Sequence, residues 1–356
     1  MYNDVSIDET LARALDSHEI GCGDAQALLG LRGSDVFRVC IAADSLRKTL
    51  VGDVVTYVVN RNINFTNMCT GTCRFCGFKD SEPYLLTEDE VVQRAMSPEL
   101  TEVCIQGGLN PSVPLEYYIG IVEAIKEQRP ELHIHAFSPA EVDHMAKTSG
   151  QTHGSVIREL KKAGLGSMPG TAAEILVDSV RSVICPDKID TATWEKIIRE
   201  AHGQGIPTTS TMMYGHVESI ADMAAHMGRI RDIQKDTGGF TEFVPLSFMP
   251  ENKLGRAYGL TGAPGHLDLL TYAVSRLFFA DTIKNIQTSW VKLGRKMTQV
   301  SLMCGANDVG GTLVEEKISK SSGAGHGECM TRTDLEKMIA QTGKIARQRT
   351  TTYSLV

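Results

Sequence analysis

The sequence predicts an α/β fold, a closed (β/α)8 barrel preceded by a helical N-terminal extension. Three observations lead there: eight β-rich apolar runs recur along the chain, helix-period stretches separate most of them, and no low-complexity linker breaks the rhythm. A length of 356 residues suffices for one large barrel or for two average domains. An open doubly wound sheet is the alternative architecture. No GxGxxG turn follows the first run, however, and eight repeats favour closure.

Taken in order, residues 1–51, including ETLARALDSH and SDVFRVCIAADSLRKTLVGD, read as helices of the extension, and residues 52–356 as the barrel and its C-terminal completion. Strands are expected at NRNINFT (60–66), TEVCIQGG (101–108), LHIHAFS (132–138) and LGSMPG (165–170). The second half continues with PTTSTMMYG (207–215), FTEFVPLSF (240–248), NIQTSWVKL (285–293) and VSLMCGA (300–306). Between them, EYYIGIVEAIKEQ and TATWEKIIREAHGQG carry helical periodicity, the latter closing on a glycine suited to a C-cap.

Composition excludes several classes of function. With 36 basic and 43 acidic side chains the net charge is −7, and no lysine and arginine run can neutralise a phosphate backbone, so nucleic acid is not an expected partner. The start, MYNDVSIDETLARALDSHEI, is acidic where a leader would be basic, and nowhere do about 18 apolar residues run together. A cytoplasmic protein without membrane contact is expected. Nine cysteines are an odd number and argue against a disulfide framework in a reducing compartment.

Three of those cysteines stand in CTGTCRFCGF: Cys69, Cys73 and Cys76. In a barrel of this kind, loops after the C-terminal ends of the strands build the active site, and this loop follows the first predicted strand. Structural zinc takes four protein ligands, usually as two CxxC pairs, and no second pair exists; a four-cysteine iron-sulfur site fails on the same count. Three thiolates on a 4Fe-4S cluster leave one iron open to a chelating small molecule.

The CxxxCxxC spacing, with Phe75 before its last cysteine, resembles the radical S-adenosylmethionine superfamily. That resemblance implies one 4Fe-4S cluster held by Cys69, Cys73 and Cys76, with S-adenosyl-L-methionine chelating the open iron. NRNINFTNMCTGTCRFCGF, CIQGGLNP, HIHAFSPAEV, SMPGTAAEIL, VICPDKIDTATW, IPTTSTMMYGHVE, GGFTEFVPLSF and NIQTSWVKLG, spread from about Gly52 to Gly311, together resemble the tyrosine-using subunit family of FO synthase. The menaquinone-pathway enzymes aminofutalosine synthase and dehypoxanthine futalosine cyclase are similar in the cysteine loop and the QGGL stretch and form the second reading. The first resemblance implies cleavage of L-tyrosine at Cα–Cβ and transfer of its 4-hydroxybenzyl group to 5-amino-6-(D-ribitylamino)uracil. It also implies a separate ring-closing radical subunit as partner and an electron donor such as ferredoxin or flavodoxin.

Phe75, Gln106, Gly107, Gly108 and Glu174 are the expected contacts to S-adenosyl-L-methionine: the glycines by close backbone approach, Glu174 by accepting from ribose hydroxyls. Arg181 is a candidate for a substrate carboxylate. Tyr214 and His216, at the end of the fifth strand, are the catalytic candidates. His133 and His135 share a strand face, as a metal pair or a satisfied structural pair would. Asn285, Gln287 and Ser289 form a polar ladder that needs partners, and the glycines of GANDVGGTL (305–313) are candidates to cradle a ribityl chain. Two stretches depart from the family pattern: the absence of an arginine near Lys79 or Asp80, and MPENKLGRAYGL after the sixth strand. Cys22, Cys40, Cys104, Cys185, Cys304 and Cys329 show no ligand spacing and are expected to be filler.

Overall fold

In the computed structural model, which describes residues 6–315, 317–327 and 329–356, the chain closes a parallel barrel on itself. One long extended segment begins it, as β1 (Val54–Val58) and β2 (Asn60–Asn64). Around the barrel follow β3 (Glu102–Gln106), β4 (His133–Ala136), β5 (Thr208–Tyr214), β6 (Phe240–Ser247) and β7 (Asp308–Gly311). Asn60 pairs with Glu102, and Glu102 with His133. Single parallel bridges complete the circle: His135 to Ser167, Met168 to Thr208, Phe243 to Ile286, Gln287 to Asp308, and Val314 back to Arg61. Every residue of β5 is buried, as expected of strands covered by side chains inside and helices outside.

The helices start where short polar side chains cap them. Thr87, Ser138 and Ser219 each accept from the backbone three residues on, and Glu90, Glu141 and Asp222 reach back to complete the capping box. Three helices, Ile7–Leu15, Cys22–Leu29 and Asp35–Val51, precede the first strand and pack on Gly265–Phe279. Arg231 ties them to the barrel, donating to the Ile20 carbonyl at 2.7 Å while lying 3.7 Å from the centre of the Phe278 ring.

Several strand expectations are corrected. The first strand begins at Val54 rather than Asn60. The fourth and seventh shrink to bridge pairs at Ser167 with Met168 and at Ile286 with Gln287. From Trp290 to Leu302 the chain is helical, with a break at Gly294, so VSLMCGA ends a helix instead of forming the eighth strand. Its apolar residues look alternating, but Trp290, Val291, Gly294, Thr298, Ser301 and Leu302 share the buried face at a helical spacing. The eighth barrel strand is β7, within the glycine-rich run GANDVGGTL.

A last strand, β8 (Ile345–Gln348), lies parallel to β1 on the edge opposite β7. It fills the lower gap left where β1 precedes the β2–β3 pairing. Residues 349–353 then turn into the barrel floor. There Arg349 grips Asp308 with Nε at 2.5 Å and Nη2 at 3.1 Å, Thr351 donates to Glu102 at 2.7 Å, and the Tyr353 hydroxyl meets Glu242. The Arg349 guanidinium also stacks 4.0 Å above the Tyr353 ring.

Replacing Arg349 with leucine leaves Asp308 and Glu242 buried without their cation and is expected to cost about 3–5 kcal/mol in urea unfolding. Burial holds the Glu242 carboxyl up to about 7 despite Arg349. A carboxyl raised in the fold adds stability below its ordinary range, and this is lost as pH rises through the folded value. The Arg349→Leu deficit should therefore be larger near pH 8 than near pH 5.5.

Candidate active site

A cavity of about 410 Å³ occupies the barrel interior and opens at the C-terminal ends of the strands. Cys69, Cys73 and Cys76 all line it from the loop after β2. That loop is pinned along its length. Thr70 N donates to Leu109 O at 3.0 Å, Arg74 N to Ile184 O at 2.9 Å, and Lys79 Nζ to Gly71 O at 2.5 Å. Gly108 lets two segments touch, because a Cβ there would sit 2.3 Å from the Met68 carbonyl oxygen and 2.9 Å from Cys69 Cβ. Gly107 is equally constrained, with the Phe65 ring 2.4 Å from where its Cβ would be. Its N–H donates to Glu141 Oε1 at 2.9 Å.

Three thiols on one cavity wall are the donor set of an iron-sulfur cluster. A 4Fe-4S cluster with one open iron takes three thiolates, whereas structural zinc takes four protein ligands, so the three residues fit the cluster. Burial pushes the Cys73 and Cys76 thiols up, with Lys188 partly opposing it.

Glu174 and Lys188 stand beside the thiols as a buried ion pair through Glu174 Oε1. Burial alone would lift the Glu174 carboxyl, but Lys188 outweighs it and holds the group below its usual value. Burial alone would lower the Lys188 ammonium, but Glu174 and the Cys73 thiol outweigh that and raise it. Phe75 lies under the same ammonium, 5.7 Å from Nζ. Glu174 has φ 44° and Ala172 φ 65°, both strained for residues with a side chain. Arg181 holds that strained turn, donating to the carbonyls of Ala172, Ala173 and Ile189. Its guanidinium is committed to backbone and does not line the cavity, which corrects the expectation of a carboxylate contact.

The fifth-strand candidates lie off the cavity wall. Side chains alternate along β5, so Thr209, Thr211 and Met213 face the cavity while Tyr214 points outward, fully buried, and donates to Asp268 at 2.7 Å. His216 sits in the following turn with Nδ1 2.9 Å from Glu218 Oε2 and Nε2 3.1 Å from the Met213 carbonyl oxygen. Neither side chain lines the cavity: Tyr214 ties β5 to the helix Gly265–Phe279, and His216 braces the turn.

His133 and His135 converge on one hydroxyl, Ser167 Oγ, at 2.8 and 2.7 Å, and burial lowers both, His135 to about 4. They form a neutral pair on one hydroxyl, and of the two only His135 lines the cavity. Of the polar ladder, Gln287 and Ser289 line the cavity, while Asn285 is spent on the Thr241 carbonyl and Asn307. Gly310 and Gly311 also line it, and a Cβ on Gly311 would lie 2.1 Å from Asn60 Oδ1, so these glycines admit neighbouring side chains. Cys104 lines the wall, unlike the other cysteines expected as filler. The two departures from the family pattern meet in space: Asp80 pairs with Lys253 at 2.9 Å, and Leu254 N donates to Arg74 O at 2.9 Å.

Sequence reasoning missed Lys188, Glu141, Glu242 and Arg349. Glu141 had a signal in SPAEV, a capping-box spacing, but nothing in that pattern says the carboxylate is buried, a state that pushes it up to about 7. Arg349 lies in a polar tail with no periodicity to mark it.

The profile described as the Radical SAM superfamily matches residues 63–230, and that described as the CofH/MqnC C-terminal region matches residues 237–356. Methylornithine synthase superposes with a TM-score of 0.74 at 16% identity, covering 95% of this chain and 97% of that one. A FeFe-hydrogenase maturase from Carboxydothermus hydrogenoformans gives 0.77 at 13%, covering 98% and 80%. These two establish the likeness of fold. A Methanosarcina acetivorans protein named 5-amino-6-(D-ribitylamino)uracil--L-tyrosine 4-hydroxyphenyl transferase 1 is 54% identical over 94% of this chain and 90% of its own length. A Methanopyrus kandleri transferase of the same description is 49% identical over 99% and 98%. With the cysteine loop on the cavity wall and identity of this order from end to end, the chain belongs to the radical SAM superfamily and, within it, to the family of 5-amino-6-(D-ribitylamino)uracil--L-tyrosine 4-hydroxyphenyl transferases.

Proposed function

We propose that the protein breaks the Cα–Cβ bond of L-tyrosine and joins the 4-hydroxybenzyl group to C5 of 5-amino-6-(D-ribitylamino)uracil, a step in deazaflavin (FO) cofactor synthesis. The observation that carries this reading is the near full-length identity to transferases of that description. When bound, a 4Fe-4S cluster and S-adenosyl-L-methionine supply a 5'-deoxyadenosyl radical, with methionine, 5'-deoxyadenosine and 2-iminoacetate as the accompanying products. Cys69, Cys73 and Cys76 are the residues that would hold the cluster.

The chain's own work is placement and exclusion of water. Gln106, Gly107 and Gly108 close the end of β3 against the cysteine loop and offer backbone where a side chain would collide. Phe75 walls the site, and Glu174, kept charged by Lys188, is an acceptor for ribose hydroxyls beside the thiols. Glu141 fixes Gly107 by accepting its N–H, which ties the nucleoside end of the site to the helix Pro139–Ser149. Ferredoxin or flavodoxin is the electron donor we assign, a separate ring-closing radical enzyme the consumer of the adduct, and the cytoplasm the compartment. Among the described residues no helix is long and apolar enough to cross a membrane.

A second reading is kept because the C-terminal profile's description names two enzyme groups. On it, the same radical would act on a menaquinone-pathway substrate. Anaerobic reconstitution with reductant, S-adenosyl-L-methionine, L-tyrosine and the diaminouracil separates the two. A 4-hydroxybenzyl adduct formed with 5'-deoxyadenosine is the expected product by mass spectrometry. Deoxyadenosine without that adduct would shift the assignment to the menaquinone substrates.

Cys73→Ala is expected to lose the cluster's visible absorption and all deoxyadenosine formation, while its thermal unfolding stays near that of the parent. Gly108→Ala should cost about 1–3 kcal/mol through overpacking and lower the iron bound per chain. Iron content measured beside a urea titration checks both effects.

A further inference from the structure

The cavity has two chemically different ends. Its upper end holds the thiols with Lys188 and Lys79, while its lower end is built on the carboxylates of Glu102, Glu242 and Asp308. These three come from the N-terminal halves of β3, β6 and β7, and one buried guanidinium, Arg349, serves them. A count of hydrogen bonds shows which acceptor remains open. Glu102 is complete, with Asn60 Nδ2 on Oε1 at 2.8 Å and the Thr351 hydroxyl on Oε2. Asp308 is complete too: Thr56 and Arg349 Nε reach Oδ2, while Gly310 N and Arg349 Nη2 reach Oδ1.

Glu242 differs. Tyr353, Arg349 Nη2 at 3.7 Å and Gln287, with its amide nitrogen turned inward at 2.9 Å, all meet Oε2. No hydrogen bond among the described residues falls on Oε1, and the side chain lines the cavity. In a side chain that lines the cavity, that oxygen is the acceptor left for a ligand donor.

We propose that this lower end seats the ribitylaminouracil substrate, with Glu242 Oε1 as the acceptor for its hydroxyl or N–H donors. The inference rests on the function proposed above and adds where each substrate sits. The ribitylaminouracil is uncharged and rich in hydroxyl and N–H donors, which suits an open carboxyl acceptor. L-Tyrosine is a zwitterion, and its carboxylate finds no free cation in the floor, since Arg349 is already held at short range by Asp308.

The test uses cluster-loaded protein held anaerobically without S-adenosyl-L-methionine, titrated calorimetrically with 5-amino-6-(D-ribitylamino)uracil and separately with L-tyrosine. In Glu242→Gln, the amide oxygen must serve Tyr353 and Gln287, which turns an NH2 donor toward the substrate's donors. Affinity for the ribitylaminouracil should fall roughly 10- to 100-fold, with tyrosine affinity changed less than about threefold. In the unmodified protein, amide hydrogen exchange across residues 345–356 should slow with the ribitylaminouracil and not with tyrosine, a readout that stands even if the variant folds poorly. Unchanged ribitylaminouracil binding by Glu242→Gln, or protection of 345–356 by tyrosine alone, overturns the seat. If the parent protein still makes the adduct in that case, only the seat is wrong. If it neither binds the ribitylaminouracil nor makes the adduct, the functional reading fails and takes the inference with it.

Discussion

The ion pair between Arg349 and Asp308 holds the interior of this barrel together. Asp308 begins β7, pairs in register with Thr56 of β1 and accepts that residue's hydroxyl at 2.6 Å, while Arg349 arrives from the tail and leans toward Glu242 on β6. One contact therefore spans four segments distant in sequence. In the low-dielectric floor of a barrel such a pair is strong only because its remaining donors and acceptors are satisfied, here by Thr56, Gly310 and the stacked Tyr353 ring. The cavity above inherits its shape from this floor.

At the other end the constraint is steric. The cysteine loop can approach β3 only because Gly108 has no side chain, while Gly107 makes room for the Phe65 ring; Thr70 and Arg74 tie the loop to Leu109 and Ile184, and Lys79 braces it internally at Gly71. Gly77 adds a third close approach, since a Cβ there would lie 2.1 Å from the Ser321 carbonyl oxygen. The loop is thus held between β3 and the segment after β7. The Asp80–Lys253 pair and the Leu254–Arg74 hydrogen bond attach it to the stretch after β6, so two places that each look unusual in the sequence form one contact.

Much of this was legible from residues alone, and what escaped has physical reasons. The barrel, the thiol set and the glycine pair follow from periodicity and spacing, which are local properties. Phe75, Gln106 and Glu174 lie on the cavity wall, at the C-terminal end of the barrel where loops and strand ends gather. Tyr214 stands off the wall because a strand's last residue can face either side, and the inward face of β5 is set by Thr209 and Thr211. VSLMCGA failed because a short apolar run reads equally as strand or as the end of a buried helix. Lys188 and Arg349 could not be found at all: their partners, Glu174 and Asp308, stand 14 and 41 residues away, beyond the reach of any helix or strand period.

The placement of β8 also bears on how the chain reaches this state. Thr56 needs Arg347 as its neighbour, and Tyr57 needs Gln348, so the first strand made during synthesis keeps an open edge until almost the whole described chain has emerged. Contacts this far apart impose a large loop-closure entropy and slow folding. An unpaired parallel edge on the growing chain is also a template for association with other chains. The exposed carboxylates of Glu102, Glu242 and Asp308 would meanwhile repel one another and delay collapse of the half-made barrel. Arrival of Arg349 removes the open edge and the repulsion together, making closure of the floor a late and cooperative event.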